Sequence, residues 1–91
     1  MMDQHIIISA DALVQEIGGE AVILDLASST YFGLDDIGLR IWNLLDTCTS
    51  LHEVLHAMVS EYDVSATQME ADLTVFVEQL LNAGLVRAQS V

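Results

Sequence analysis

The sequence predicts an α+β domain in which a three-stranded antiparallel sheet is followed by three helices. Two observations lead to this fold class. The first third of the chain alternates short apolar runs with glycine or polar turns, as strands do. The remainder carries apolar residues at helical spacing behind serine and aspartate caps. At 91 residues the chain is long enough for one core, so we expect a single domain over residues 1–91.

The first predicted unit is a β-hairpin in the stretch ALVQEIGGEAVILDL. Gly18 and Gly19 can adopt the positive φ angles of a two-residue turn. Residues 21–26 are apolar and β-branched enough to form a strand that is covered on both faces. The earlier HIIIS segment is expected to add a short edge to this sheet.

A second polar turn, Ala27 to Thr30, leads to the third predicted strand, Tyr31 to Leu34. Gly33 lies inside this strand, where it predicts either a bulge or the close approach of another backbone. Since this strand is the last in the predicted sheet, we expect its outer edge to be unpaired.

Three helices follow, each with a recognisable start. Asp35 is the predicted N-cap of a helix over residues 36–46, and Ser50 with Glu53 forms a capping box for a helix that ends near residue 61 or 62. Ser65 or Thr67 caps the third helix, which Gly84 closes. The predicted buried side chains are Ile37, Ile41, Leu44 and Leu45 in the first helix, Leu51, Val54, Leu55, Met58 and Val59 in the second, and Met69, Leu73, Phe76, Val77, Leu80 and Leu81 in the third. With a hairpin beside helices two and three, the outline is winged-helix-like.

The charge balance excludes several classes of function. Fourteen acidic residues face two cations, Arg40 and Arg87, for a net charge of −12. Nucleic acids and anionic membranes bind through lysine and arginine, so we expect neither as a partner. A neutral or basic peptide or protein would be tolerated or attracted. The acids would also serve simply to keep an apolar domain in solution, and the two interpretations are compatible.

Other features of the chain point to the cytoplasm. The single Cys48 cannot form an intramolecular disulfide, which fits a reducing compartment. The N-terminus carries an acidic residue and only a short apolar run, unlike a signal peptide. Nor does the sequence contain an apolar run long enough for a transmembrane helix.

One motif suggests a different chemistry. His52, Glu53 and His56 spell H-E-x-x-H, the pattern by which metalloproteases hold zinc with the glutamate as general base. A catalytic site also needs a third ligand, for which Glu78 is the candidate, and a substrate cleft that 91 residues leave little room to build. Glu53 already has a structural role as the capping-box residue. We therefore expect no metal, no cofactor and no catalytic residue, and interpret the chain as a binding module.

The stretch GEAVILDLASSTYFGLDDIGLRIWNLL resembles the PqqD family. Its order is a strand, a polar turn, Tyr-Phe-Gly-Leu, an acidic cap and Gly-x-x-Ile-Trp-x-Leu-Leu. The segments SLHEVLHAMVSEYDV and MEADLTVFVEQLLNAGLV resemble the second and third helices of that family. The resemblance covers residues 14–86. Two positions depart from it: Thr47-Cys48 stands where many members have glycine, and Asp35 where many have asparagine.

The resemblance implies a RiPP recognition element, which binds the leader segment of a ribosomally made precursor peptide and presents it to a separate modifying enzyme. Within the family the chain looks most like the stand-alone proteins of lasso-peptide biosynthesis, whose partner is a leader peptidase. The implied mechanism is addition of the leader as a fourth strand beside the third helix. The implied peptide-binding residues are Tyr31, Phe32 and Leu34 on the strand, and Asp72, Val75, Phe76 and Gln79 on the helix.

Alternatives remain open at this level. Phe76 and Leu34 also suit core positions, Tyr31 a cross-strand packing role, and Asp72 a solvated helix surface. A PqqD-like protein can instead serve a radical S-adenosylmethionine enzyme in another peptide pathway, including cofactor maturation. A winged-helix DNA-binding protein and a zinc-binding protein are less compatible with the charge and the capping box.

Overall fold

The computed structural model describes residues 1–90. Within them the chain forms an N-terminal strand, a three-stranded sheet, three helices and a C-terminal strand. The elements are β1 (Gln4–Ile8), β2 (Ala12–Ile17), β3 (Glu20–Asp25), β4 (Thr30–Leu34), α1 (Asp36–Thr47), α2 (Leu51–Glu61), α3 (Ala66–Asn82) and β5 (Val86–Ser90).

The predicted three-stranded antiparallel sheet is confirmed, with the strand order β2-β3-β4. Gly18 and Gly19 form the hairpin turn with φ angles of 59° and 85°. Ile23 lies at the centre of the inner face, opposite Val14 on β2 and Phe32 on β4. The fold class inferred from the sequence is therefore correct.

In this sheet the structure excludes one of the two alternatives for Gly33 and contradicts the expected covering of β3. Gly33 pairs in regular register with Val22, so β4 contains no bulge at this glycine. The strand β3 is fully covered on one face only, because Val22 and Leu24 remain half-buried on the other. The apolar composition of β3 thus reflects a partly exposed outer face, not a second covering layer.

The HIIIS segment does form a strand, but the expectation that it joins the main sheet is wrong. It is β1, and it pairs antiparallel with β5 in a separate two-stranded sheet. Ile6 of β1 is buried in the core. The partner strand, VRAQS, has one buried residue followed by four exposed ones. Its strand signal in the sequence is limited to the short alternation of Val86 and Ala88 with Arg87 and Gln89.

The predicted helix caps are confirmed. The Asp35 side chain accepts a hydrogen bond from the Gly38 amide at 2.7 Å, and Ser50 with Glu53 forms the capping box. Ser65, rather than Thr67, caps α3 by accepting from the Gln68 amide at 3.1 Å.

The end of α3 is a Schellman turn. Gly84 has a φ of 75°, its amide donates to Leu81 O, and the Leu85 amide donates to Leu80 O. This turn directs the chain into β5. Within residues 1–90, no helix combines the length and apolar character that crossing a membrane requires.

The core lies between the inner face of the sheet and the helices. The helix α2 packs against α1, α3 and β1, while α1 also contacts β4 and α3 also contacts β5. Five predicted core residues lie nearer the surface than expected: Ile37 is exposed, and Leu55, Val59, Phe76 and Leu81 are half-buried. The fully buried side chains are Ile23, Leu51, Val54, Met58, Leu73, Val77 and Leu80.

Candidate functional site

The strand β4 has a free edge. Within residues 1–90 it pairs with β3 on one side only, which leaves outward-pointing backbone N–H and C=O groups of Thr30–Leu34 without strand partners. Such a row of backbone groups is a template for an added strand. The exposed edge predicted from the sequence is therefore present.

Side chains of β4 alternate between two faces of the sheet. Phe32 lies on the inner face, since it pairs with the buried Ile23, and Leu34 follows it two residues later. The ring of Phe32 meets that of Phe76 on α3 edge to face, with centroids 6.4 Å apart and planes at 69°. Tyr31 lies on the opposite, outer face beside Leu24, and its side chain is 74% exposed.

Gly38 lies where β4, α1 and α3 converge. A Cβ atom at this position would lie 3.1 Å from Asp35 Oδ1, 3.3 Å from Leu34 Cδ2 and 3.5 Å from Phe76 Cε1. A side chain here would crowd Asp35 and Leu34, whereas its contact with Phe76 would be an ordinary one. A glycine in the first turn of a helix is the signal in the sequence that points to this close packing, but it does not indicate which elements meet there.

Phe76 marks a boundary on α3. At helical spacing it lies between the buried stripe of Leu73, Val77 and Leu80 and an exposed stripe. The exposed stripe consists of Asp72, Val75 and Gln79. Val75 is 56% exposed, a large fraction for an aliphatic side chain. Asp72 accepts a hydrogen bond from Gln68 Nε2 at 2.9 Å through one carboxylate oxygen.

The structure thus divides the seven predicted residues into three groups. Phe32, Leu34 and Phe76 come together as a partly buried apolar surface. The stripe of Asp72, Val75 and Gln79 lies next to Phe76 on the exposed face of α3. Tyr31 shares the strand but points to the other side of the sheet.

The charges around this site are negative. Arg40, one of the two cations, is neutralised by Glu61, with Nε and Nη2 each 2.8 Å from a carboxylate oxygen. The hydrogen bond between them raises the pKa of Arg40 and lowers that of Glu61. The other cation, Arg87, lies on β5. The candidate site therefore carries the negative charge of Asp72, and Asp35 and Asp36 add two more just after β4. None of its residues is a cation.

Comparison with known proteins places this architecture in a family. The family model of coenzyme PQQ synthesis protein D (PqqD) matches residues 20–86, which include β3, β4 and all three helices. The chain belongs to the PqqD family. No curated protein sequence matches it.

Two solved structures share the fold of this PqqD-family chain. One is TbiB1 in complex with the TbiA(beta) leader peptide, with a TM-score of 0.81 and 38% identity over 89% of this chain and 94% of that one. The other is a lasso peptide synthetase B1 complexed with the leader peptide, with a TM-score of 0.81 and 26% identity over 91% of this chain and 98% of that one. Each of these structural matches covers more of the chain than residues 20–86, which the family model matches.

In this PqqD-family chain, the surroundings of the H-E-x-x-H residues differ from those of ligands in a metal centre. No group of three potential ligands comes together within residues 1–90. His52 and His56 are exposed and line a cavity of about 300 Å³ with Leu55, Val59 and Ala66. The Glu53 carboxylate accepts from the Thr49 hydroxyl and from the amides of Thr49 and Ser50.

The hydrogen bonds to Glu53 have a chemical consequence. Those from Thr49, first from its hydroxyl and then from its amide, lower the pKa of Glu53. A general base works best with a pKa near the operating pH, so this shift is in the wrong direction for the peptidase role. These hydrogen bonds are the ones expected of a residue that caps the N-terminus of α2.

Proposed function

We propose that the chain binds the leader segment of a ribosomally made precursor peptide and delivers it to a separate modifying enzyme. The observation that carries this proposal is the free edge of β4 beside the Phe32–Phe76 pair. This edge occurs in a fold shared with two proteins solved as leader-peptide complexes. In this role the domain has no catalytic residue of its own and acts in the cytoplasm, which suits its free Cys48.

The proposed binding mode is strand addition. An extended leader would hydrogen-bond through its main chain to the unpaired groups of β4 and become the fourth strand of the sheet. The strand β2 also has an open edge, but β4 is the one that packs on a helix, α1, and reaches α3 through Phe32. A strand added to β4 would therefore have a wall of helical side chains beside it.

Side chains at this wall would set the register of the leader. Phe32, Leu34 and Phe76 offer an apolar surface for inward-pointing leader residues. Val75 and Gln79 extend it along α3. Asp72 keeps one carboxylate oxygen free for a cationic leader residue. On the outer face, Tyr31 would form a cross-strand pair with an outward-pointing leader residue.

The pathway follows from the same comparisons. The similarity to TbiB1 and to a lasso peptide synthetase B1 favours lasso-peptide biosynthesis, where the modifying enzyme would be a leader peptidase. The family match to a coenzyme PQQ synthesis protein favours a second candidate, in which the chain serves a radical S-adenosylmethionine enzyme. The genes beside the one for this chain discriminate the two, since a peptidase and a radical enzyme differ in sequence.

The test is an amide-shift titration of labelled protein with the leader peptide of the neighbouring precursor, with a chelator present. Saturable shifts along Thr30–Leu34 and on the exposed stripe of α3 are expected. Shifts confined to the α2 histidines or to β2 would contradict the proposed site. Absence of any shift, with and without the modifying enzyme, would overturn leader binding itself.

A further inference from the structure

The outer face of the three-stranded sheet carries an apolar row that no helix covers within residues 1–90. Register places Leu13, Leu24 and Tyr31 directly opposite one another across β2, β3 and β4. Leu13 is 45% exposed, Tyr31 is 74% exposed and Leu24 is half-buried. The opposite face of the same strands packs on the core through the buried Ile23 and the half-buried Val14 and Phe32.

A shallow cavity of about 480 Å³ lies where β3 begins and β4 ends, and Val22 and Gly33 line it from the outer face. Gly33 lacks a side chain there, and a Cβ atom at this position would meet no heavy atom within 4 Å. Val22, the cross-strand neighbour of Gly33, provides an apolar wall. The cavity is also lined by the acidic residues Glu20, Asp35 and Asp36. An apolar floor with carboxylates around it suits the stem and the charged end of a lysine or arginine side chain.

The charges decide between two possible occupants of this face. A second copy of the chain would bring another −12 charge and only Arg40 and Arg87 as cations, of which Arg40 is already paired with Glu61. Like charges on the two surfaces would oppose such a dimer. A protein with an apolar patch next to a basic residue would instead complement both the row and the cavity.

We infer that the outer face of the sheet is the docking surface for the modifying enzyme. The apolar row Leu13–Leu24–Tyr31 would contact an apolar patch of the enzyme, and the cavity at Gly33 would receive one of its lysine or arginine side chains. This inference rests on the proposed function, because the enzyme needs a docking surface on this domain only if the domain delivers the leader to it. It also assigns two adjoining surfaces of one domain: the β4 edge and α3 hold the leader, the outer face holds the enzyme, and Tyr31 lies where the two meet.

The test compares two interactions of each variant. Binding of the enzyme encoded beside the gene of this chain is measured by biolayer interferometry, and leader binding by fluorescence anisotropy. Leu13→Glu places a charge in the row on the strand farthest from β4, and Glu20→Lys reverses a charge at the cavity. Val64→Glu is the matched control, since Val64 is 40% exposed but lies between α2 and α3.

We expect Leu13→Glu and Glu20→Lys each to weaken enzyme binding about tenfold and to leave leader affinity unchanged. Val64→Glu should bind both the enzyme and the leader with wild-type affinity. Added salt should weaken enzyme binding by the wild type more than by Glu20→Lys. Wild-type enzyme affinity in both variants, or absence of enzyme binding by the wild type, would overturn the docking surface. So would a wild-type dimer in sedimentation that Leu13→Glu dissociates. A failure of the proposed function would appear separately, as wild-type protein that does not bind the leader.

Discussion

Phe32 and Phe76 meet edge to face at 6.4 Å, and through this pair the edge strand β4 is joined to the helix α3. The two residues are 44 positions apart in the sequence, and each is only half-buried. An aromatic pair at the surface has a solvent-facing side that a bound peptide can cover. The contact therefore both fixes the distance between strand and helix and provides part of the apolar surface on which the proposed leader site depends.

Phe32→Asp should weaken leader binding about tenfold or more, because it places a carboxylate in this apolar surface and removes an aromatic contact. The far-ultraviolet helical signal should be retained, since Phe32 lies outside the fully buried core. Fluorescence anisotropy with the labelled leader gives the affinity, and circular dichroism gives the fold. Phe32→Leu is the matched control and should lose less affinity. Unchanged binding by Phe32→Asp would rule out the inner face of β4 as part of the site.

Much of this architecture could be predicted from the sequence because its signals are local. The Gly18-Gly19 turn, the capping box of Ser50 and Glu53, and the Gly84 terminus each depend on a few neighbouring residues. The β1–β5 sheet could not be predicted in the same way. Its strands lie at opposite ends of the chain, and β5 offers only a short apolar–polar alternation in which Val86 alone is buried.

The candidate site shows the same division between local and long-range information. The seven residues proposed for it came from a family resemblance. Among them, the alternation of side chains along a strand is the one local pattern, and it places Tyr31 and Phe32 on opposite faces of the sheet. The contact of Gly38 with Leu34 and Phe76 depends on how three elements pack, which no local pattern reports. The exposed row on the outer face was missed for a related reason: an apolar strand in the middle of a sheet is expected to be covered on both sides.

Ser50→Ala should lower the free energy of unfolding by about 1 kcal/mol, because the first turn of α2 loses its cap. Urea melts followed by circular dichroism measure this change. Ser60→Ala, in the last turn of the same helix, is the control and should change stability much less. Equal losses in the two variants would show that the capping box contributes nothing specific.

Glu53, the second residue of the capping box, predicts that the free energy of unfolding depends on pH. Because hydrogen bonds lower the pKa of Glu53 in the folded protein, its carboxylate stabilises the fold above the ordinary glutamate pKa of about 4.3. That contribution is lost as the pH falls through the lower pKa of the folded state. Urea melts of the wild type and Glu53→Gln should therefore differ at neutral pH and converge in acid. A difference that is constant with pH would contradict this role of the carboxylate.

His56→Ala should leave leader binding unchanged, and so should a chelator added to the wild type. The reason is that His56 is exposed on α2 and Glu53 is engaged as a cap. Anisotropy titrations with and without the chelator provide the measurement, and His52→Ala is the companion variant. A loss of leader binding in His56→Ala that zinc restores would establish a functional metal at the H-E-x-x-H motif.

Gly38→Ala and Gly33→Ala should have opposite effects on stability. In α1, alanine favours the helix by up to about 1 kcal/mol, but its Cβ would lie 3.1 Å from Asp35 Oδ1 and 3.3 Å from Leu34 Cδ2. Overpacking of this kind costs about 1–3 kcal/mol, so we expect a net loss and a lower Tm. At Gly33 the added methyl meets no heavy atom within 4 Å, so the Tm should be equal to the wild type or higher. Because Leu34 must shift to accommodate the methyl at Gly38, Gly38→Ala should also weaken leader binding. Thermal melts and anisotropy test the two effects, and a Gly38→Ala protein as stable as the wild type would show that α1 can move away from β4 at little cost.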